Sequence, residues 1–543
     1  MQQLFNDSKI KINMMSKLLL LGDEAIAQAA LDAGISGVYA YPGTPSTEIT
    51  EYIQSSKQAE DSQVHRNWSA NEKTAMEAAI GMSYAGKRAL VCMKHVGLNV
   101  AADPFMNSAI TGANGGLVYL VADDPSMHSS QDEQDSRFFA KFGFVPTFEP
   151  SNQQEAYDMT YEAFDYSEKH KIPVMVRVTT RLAHSRAGVA RKPERPQNEI
   201  KLCDNKKQFI LLPGNARIFY KELLAKQPAL EMEAENSKYN KYIDGNDKSL
   251  GIIASGIAYN YLMENYVGKT CPHPVLKISQ YPLPVALIAK ITKECKTILV
   301  AEEGYPLIEE QLRGLLYVGE NIKGRLDGTL PRDGELNPNH LAVALGLADT
   351  FGQPVPPIVA PRPPALCAGC PHIDTYHALN EAMKPYGPGK VFSDIGCYTL
   401  GALPPYNAIY STVDMGASIT MAKGASDAGL RPSVAVIGDS TFTHSGITSL
   451  LDAVIENSPI TVMILDNLTT GMTGGQESHA TGRIAQICEG IGVAKEHIRT
   501  IKPLKNQHEI NLQIIKEELA YNGTSVIIPT RECIQTIGKK KKK

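Results

Sequence analysis

Short apolar runs and longer amphipathic stretches alternate along most of this chain. Between Lys17 and Gly188 the runs GVYAYPG, ALVCMKH, GGLVYLVAD and IPVMVRVTT are β-rich and too short for helices, while ANEKTAMEAAIGMSYAG is built from helix formers. Near-continuous apolar strands separated by helices describe a parallel sheet covered on both faces. The pattern breaks from Arg191 to Lys248, where Lys, Glu and Asn surround one predicted helix near Asn215–Lys226. Alternation resumes with LGIIASG and TILVAEEG, stops in the proline-rich FGQPVPPIVAPRPPAL, and returns with VAVIGDS, PITVMILDN and TSVIIP. The predicted order is an α/β domain over residues 17–190, a connector over 191–248, a second α/β domain over 249–350, a stiff linker over 351–366, a third domain over 367–533 and a basic tail over 534–543.

Composition narrows the class. The chain is 43% hydrophobic and 21% charged with a formal net charge of -4, an ordinary globular balance. No basic stripe interleaved with aromatics points to nucleic acid, and the lysines from Lys539 to Lys543 read as a solvated end. Near the start, the apolar run Leu18–Leu21 meets Asp23 and Glu24 at once, so neither a signal peptide nor a membrane helix is expected and a cytoplasmic location is. Nine cysteines, an odd number, fit a reducing compartment, which leaves any clustered ones as metal candidates.

The chemistry concentrates after VAVIGDS. Asp439 ends one predicted strand, and Asn467 ends the next, 28 positions on, after the helical stretch HSGITSLLDAVIENS. That spacing is one strand-helix-strand crossover, which brings two oxygen-bearing side chains to neighbouring strand ends. Mg²⁺ takes few carboxylates alongside substrate phosphates, and Asp439, the amide oxygen of Asn467 and a backbone carbonyl near Thr469 suit it; a plain turn would also spell Gly-Asp-Ser. Glu72 opens the helix ANEKTAMEAA, where an acid also simply favours the dipole. YPGTPS offers Tyr41 and Thr44 at a strand end, in a segment that also reads as ordinary turns, and Lys94 with His95 ends another strand as pocket lining or as a satisfied pair. Cys367 and Cys370 are separated by two residues, with Cys397 and Cys533 following. Four thiolates suit a 4Fe-4S cluster or zinc, and buried structural thiols are the third reading.

IGDSTFTHSGI with ILDNLTTGMTGGQ resembles the diphosphate and Mg²⁺ motif of thiamine-diphosphate enzymes, with Ser440 where Gly is usual. Within those enzymes it is similar to the large subunits of indolepyruvate:ferredoxin oxidoreductases, as are YPGTPSTEI, NEKTAMEAAIGMSYAG, MKHVGLNVAADP, VTTRLAHSR, CAGCPH and DIGCYTLG. The resemblance implies a multidomain α/β thiamine-diphosphate-binding fold: pyrimidine-binding domain first, a transketolase-C-like domain in the middle, diphosphate-binding domain last. It implies that Glu72 activates the cofactor, that Thr44 and Tyr41 meet the substrate with His95 nearby, and that Gly438, Asp439, Ser440, Asn467, Thr469, Met472 and Thr473 line the cofactor. Mg²⁺ falls to Asp439, Asn467 and Thr469, and a 4Fe-4S cluster to Cys367, Cys370, Cys397 and Cys533. The implied reaction is oxidative decarboxylation of an aryl pyruvate, such as indolepyruvate or phenylpyruvate, to its acyl-coenzyme A, with ferredoxin as electron acceptor. A smaller (beta) subunit completes the enzyme, as a dimer of heterodimers. The family's usual C-terminal ferredoxin-like domain does not appear in the ten residues after Cys533. Two rivals remain: a non-oxidative 2-oxo acid decarboxylase using the same Glu, Asp and Asn without a cluster, and a non-catalytic organising subunit, which the intact Glu72, Asp439 and Asn467 oppose.

Overall fold

The computed structural model describes residues 17–315, 321–362 and 364–540. The chain divides into two compact units, Met1–Pro354 and Val355–Lys543, with the division inside the proline-rich stretch.

In the first unit, β1 (Leu18–Leu21) is followed by β2 (Gly37–Ala40), β3 (Ala89–Lys94), β4 (Leu117–Asp123), β5 (Thr147–Phe148), β6 (Val174–Thr179) and β7 (Arg186–Val189). Further along lie β8 (Lys241–Ile243), β9 (Leu250–Ser255), β10 (Val275–Ile278), β11 (Gln280–Tyr281), β12 (Thr297–Ala301) and β13 (Ile322–Lys323). A six-stranded sheet has the order β11-β5-β6-β4-β3-β2 and is parallel except at its β11 edge. Every residue of β3, β4 and β6 is buried, as the unbroken apolar runs require. Side chains alternate between two cores: Leu90 and Cys92 face one, Val91 and Met93 the other. The helix Glu72–Tyr84 supplies Ala75, Met76 and Ala79 to the second of these.

A five-stranded sheet, β13-β12-β9-β10-β8, follows. Ile252 and Ala254 of β9 join the first core while Ile253 turns to a core of its own, so the two sheets of this unit share apolar packing. The chain departs from simple succession here. The polar stretch 191–248 contains a helix, Pro213–Glu235, and then β8, a half-solvated edge strand whose composition hides it. Strand β11, although it follows β10 directly, crosses to the edge of the six-stranded sheet.

The second unit contains β14 (Val391–Ser393), β15 (Ser411–Thr412), β16 (Val434–Gly438), β17 (Thr461–Leu465), β18 (Ile498–Ile501) and β19 (Ser525–Pro529) in one sheet, ordered β15-β14-β16-β17-β19-β18 and parallel throughout. Val434 and Val436 face one core, Ala435 and Ile437 the other. Within the 534–543 stretch, Ile534–Lys540 is helical, and Lys541 to Lys543 lie outside the described residues. Among the described residues no helix is long and apolar enough to cross a membrane.

Candidate active site

Strands β16 and β17 pair in parallel with Gly438 opposite Leu465, so Asp439 and Asn467 leave the sheet at adjacent carboxyl ends. This is where ligands bind in open α/β sheets. The chain then runs from one turn of α-helix at Asp439–Thr441 into a π-helical turn at Phe442–Gly446, a distortion found mostly at functional sites. Asp439 is 2% exposed, and its Oδ2 has no hydrogen-bond partner. Burial, reinforced by the charge of Asp466, pushes its carboxyl up to about 7 against a hydrogen bond from Ser478. An ionised carboxylate held that way lacks its counter-charge. Below it, the Tyr398 ring lies on Gly438, where a Cβ would stand 2.5 Å from the ring. Tyr398 in turn donates to Asp394, whose Oδ2 accepts from Ser418 Oγ at 2.6 Å.

Asn467 is gripped on three sides. Its Oδ1 accepts the Thr469 amide at 3.2 Å, its backbone carbonyl accepts the Cys533 amide at 3.1 Å, and its Nδ2 points at His372 Nε2 at 3.4 Å. Burial, with Arg531 adding to it, pushes the His372 imidazole down to about 4, so Nε2 is free to accept. The loop beyond is fixed by its own bonds: Thr469 Oγ1 donates to the Gln476 carbonyl at 2.8 Å, Thr470 Oγ1 to Ser440 Oγ at 2.9 Å, and Thr473 Oγ1 to Gln476 Oε1 at 2.5 Å. Thr473 is thus occupied in holding the loop, and Met472 is half exposed. His372 was not among the sequence candidates, although it stands in CAGCPH; its contact with Asn467 spans 95 positions and arises only on folding.

The four cysteines converge in the same unit. Cys367 and Cys370 close one turn through a 2.9 Å backbone bond, with Cys370 capping the helix Pro371–Met383. Burial raises the Cys370 thiol to about 11 and Cys397 to about 12, and in both cases the other cysteines add to the rise. Among the described residues no three of the sulfurs lie within 4.8 Å of one another. A tetrahedral zinc at about 2.3 Å from each sulfur would draw them to roughly 3.8 Å, whereas a cluster of four irons is a larger body. Gly471 makes room for Cys397, because a Cβ there would stand 3.2 Å from its sulfur and 3.7 Å from Asn467 Nδ2.

In the first unit, Glu72 starts its helix behind the Asn71 cap and is 4% exposed, so it is not the solvated helix-start acid that its sequence context also allowed. Its carboxylate rests on Gly97: a Cβ at that position would lie 2.7 Å from Oε1. Sequence offers no signal for this, since Gly97 sits in a short helix where glycine only weakens structure. Thr44 and Tyr41 follow β2; Tyr41 is buried, and the Thr44 carbonyl accepts Ser129 Oγ at 3.1 Å. Ser129 also receives Lys94 Nζ on its carbonyl at 3.0 Å, while the lysine stem lies along Gly43. Burial pulls the Lys94 ammonium below the usual lysine range, opposed by the charges of Asp124, Glu72 and Asp132. His95 is buried, with Nε2 3.2 Å from the Asp132 carbonyl.

Several curated proteins align with nearly the whole chain. Indolepyruvate oxidoreductase subunit IorA of Archaeoglobus fulgidus is 38% identical over 95% of this chain and 86% of that protein. The IorA proteins of Methanothermobacter marburgensis and Thermococcus kodakarensis are each 38% identical, over 96% and 95% of this chain and 88% and 86% of their own lengths. The chain belongs to the IorA family. Residues 28–240 match the family model described as pyruvate flavodoxin/ferredoxin oxidoreductase, thiamine diP-binding, and residues 394–527 match the thiamine pyrophosphate enzyme C-terminal binding domain. Glu72, Thr44 and Tyr41 fall inside the first match, Asp439 and Asn467 inside the second. The IorA-type chain is accordingly a thiamine-diphosphate-dependent 2-oxo acid oxidoreductase with parallel-sheet cofactor domains.

Proposed function

We propose that this chain is the cofactor-binding subunit of an indolepyruvate:ferredoxin oxidoreductase that acts on aryl pyruvates. The balanced reaction is 2-oxo acid plus coenzyme A plus two oxidised ferredoxins, giving acyl-coenzyme A, carbon dioxide, a proton and two reduced ferredoxins. The observation that carries this reading is the buried, unpartnered Asp439 Oδ2 beside Asn467 at the end of a parallel sheet. Asp439, Asn467 Oδ1 and the Thr469 carbonyl would hold Mg²⁺ against a diphosphate, with Gly438, Ser440, Met472 and Thr473 around it. When bound, thiamine diphosphate supplies a nucleophilic carbon and an electron sink for decarboxylation.

The chain's own residues orient and protonate. Glu72, buried on Gly97, would hydrogen-bond the pyrimidine ring, while Thr44 and Tyr41 would receive the substrate carboxylate, with His95 behind them. Cys367, Cys370, Cys397 and Cys533 would hold a 4Fe-4S cluster that passes electrons singly. In this reading, residues 17–190 form the pyrimidine-binding domain, 249–350 the transketolase-C-like domain and 367–533 the diphosphate-binding domain, joined by the 191–248 connector and the 351–366 linker. A smaller subunit and ferredoxin complete the assembly, two heterodimers together.

Anaerobic purification with the smaller subunit tests it. Bound thiamine diphosphate, iron on this chain, and coenzyme A-dependent dye reduction that is faster with indolepyruvate or phenylpyruvate than with pyruvate or 2-oxoglutarate are expected. Aldehyde release with no iron on this chain and no dye reduction would replace this reading with the non-oxidative decarboxylase.

A further inference from the structure

Away from Glu72 and the Tyr41–Ser46 loop's substrate-facing role, the first unit contains a second uncompensated carboxylate. Asp23, in the first turn of the helix Gly22–Asp32, is 0% exposed, and neither of its oxygens has a hydrogen-bond partner. Glu48 of the helix Thr47–Ser55 and His184 of the helix Thr180–His184 stand against it, with one ligand atom from each of the three within 4.8 Å of the others. Glu48 Oε2 is buried and unpartnered as well, while Oε1 lies 3.6 Å from His184 Nε2. No arginine or lysine pairs with Asp23 or Glu48 among the described residues. The other charges nearby are Glu24, which adds to the negative field on Asp23, and Asp124, which acts on His184.

The backbone brings these groups together by design of the chain. Gly22 packs against the Leu182 carbonyl so closely that a Cβ would stand 2.2 Å from it, and its amide donates to the Ser185 carbonyl at 3.2 Å. Asp23 and His184 are therefore neighbours through two fixed backbone contacts. Ligands about 2.0–2.2 Å from a shared ion stand roughly 3–3.5 Å apart, a spacing reachable by rotating Glu48 and His184, which are partly solvent-exposed.

We propose that Asp23, Glu48 and His184 form a binding site for a divalent first-row transition-metal ion. Two carboxylates and one imidazole give mixed oxygen and nitrogen donors, which suit Zn²⁺, Mn²⁺ or Co²⁺ better than an all-oxygen set would. Two carboxylate charges match the ion's, and the exposed side leaves positions for water. The ion would clasp three segments distant in sequence, and Glu48 lies four residues beyond Thr44, so it would brace the loop carrying Thr44.

Co²⁺ is the probe, added to the chelator-treated, dialysed full-length chain. Wild type is expected to bind one more equivalent than either His184→Ala or Asp23→Asn, with visible d–d absorption for that equivalent and no thiolate charge-transfer band, which separates it from metal on the cysteines. Comparison between otherwise identical chains cancels any ion at Asp439. At a hundredfold excess over its dissociation constant the ion should raise the wild-type melting temperature by about 3 °C more than that of either variant. His184 is exposed and Asp23→Asn keeps the shape, so circular dichroism should report folded variants. Equal stoichiometry and equal Co²⁺-induced shifts in all three chains would overturn the site, leaving Glu48 and His184 as an ion pair over a protonated Asp23.

Discussion

Asp135 in the first unit and Asp439 in the second are both buried carboxylates near strand ends, and the fold treats them in opposite ways. Asp135 is met by Arg137, with Nε at 2.9 Å from Oδ1 and Nη2 at 2.5 Å from Oδ2, and by Arg177 at 3.4 Å. Burial alone would raise its pKa, yet the two guanidiniums outweigh it and hold the carboxyl below its ordinary range. The same network continues through Glu149, Glu302 and Tyr281, so it ties the six-stranded sheet to the five-stranded one. Among the described residues no cation meets Asp439, and burial pushes its carboxyl up to about 7. The paired carboxylate is part of the scaffold; the other is buried with a Ser478 hydrogen bond and no neighbouring guanidinium or ammonium among the described residues.

Substitution separates these roles, and the largest effect belongs to the pair of aspartates themselves. Asp135→Asn should destabilise the chain by up to about 3–5 kcal/mol, because two buried guanidiniums lose the carboxylate they share and are left with Asp123, Glu149 and Glu302 as counter-charges. Asp439→Asn should leave denaturant stability of the cofactor-free chain unchanged or higher, while cofactor retention falls at least about 100-fold. Equal loss of stability in the two variants, followed by chemical denaturation, would erase the distinction.

Glu72→Gln comes next. Cofactor content should remain, and turnover should fall about 10²- to 10⁴-fold, as measured by 2-oxo acid-dependent dye reduction. Gly97→Ala sharpens the point, since its only change is a methyl pressed against Glu72 Oε1. A displacement of that kind is worth up to about 10² in rate, with bound thiamine diphosphate unaltered. Wild-type turnover in Gly97→Ala would mean that Glu72 is not held there during catalysis.

The smallest effect is a pH dependence. The Asp439 pKa is raised on folding, so the cofactor-free chain draws stability from its protonated form below about 4 and loses it as pH rises towards about 7. Cation binding needs the ionised form. Affinity for Mg²⁺ with thiamine diphosphate should therefore weaken by up to about tenfold per unit as pH falls below 7, with up to one proton released per site. Calorimetry in buffers of different ionisation enthalpy counts that proton, and a count of zero at pH 6 would assign the shifted carboxyl elsewhere.

Local pattern made much of this legible. The run VAVIG followed by Asp, and the run TVMIL followed by Asp-Asn, told of two buried strands one crossover apart, and parallel pairing does the rest. Contacts made across the fold were hidden. His372 on Asn467, Gly97 under Glu72 and Gly471 beside Cys397 join segments whose local sequence has no periodic or capping signal for the meeting. The edge strand β8, largely solvent-facing, and the displaced β11, buried but two residues long, escaped for a related reason: two or three residues are too few to form a pattern.

The order β15-β14-β16-β17-β19-β18 has a consequence for how the second unit is made. Its final described strand, β19, is an inner one, buried along its whole length between β17 and β18. Until Pro529 has left the ribosome, the sheet has a gap and two unsatisfied strand edges face it. Native pairing of β18 must wait until β19 has been made, and until then Val462, Ile464 and their neighbours stay open to other chains. A nascent chain in this state is the form most in need of a chaperone, and Cys533, four residues beyond β19, joins the other cysteines only after that wait is over.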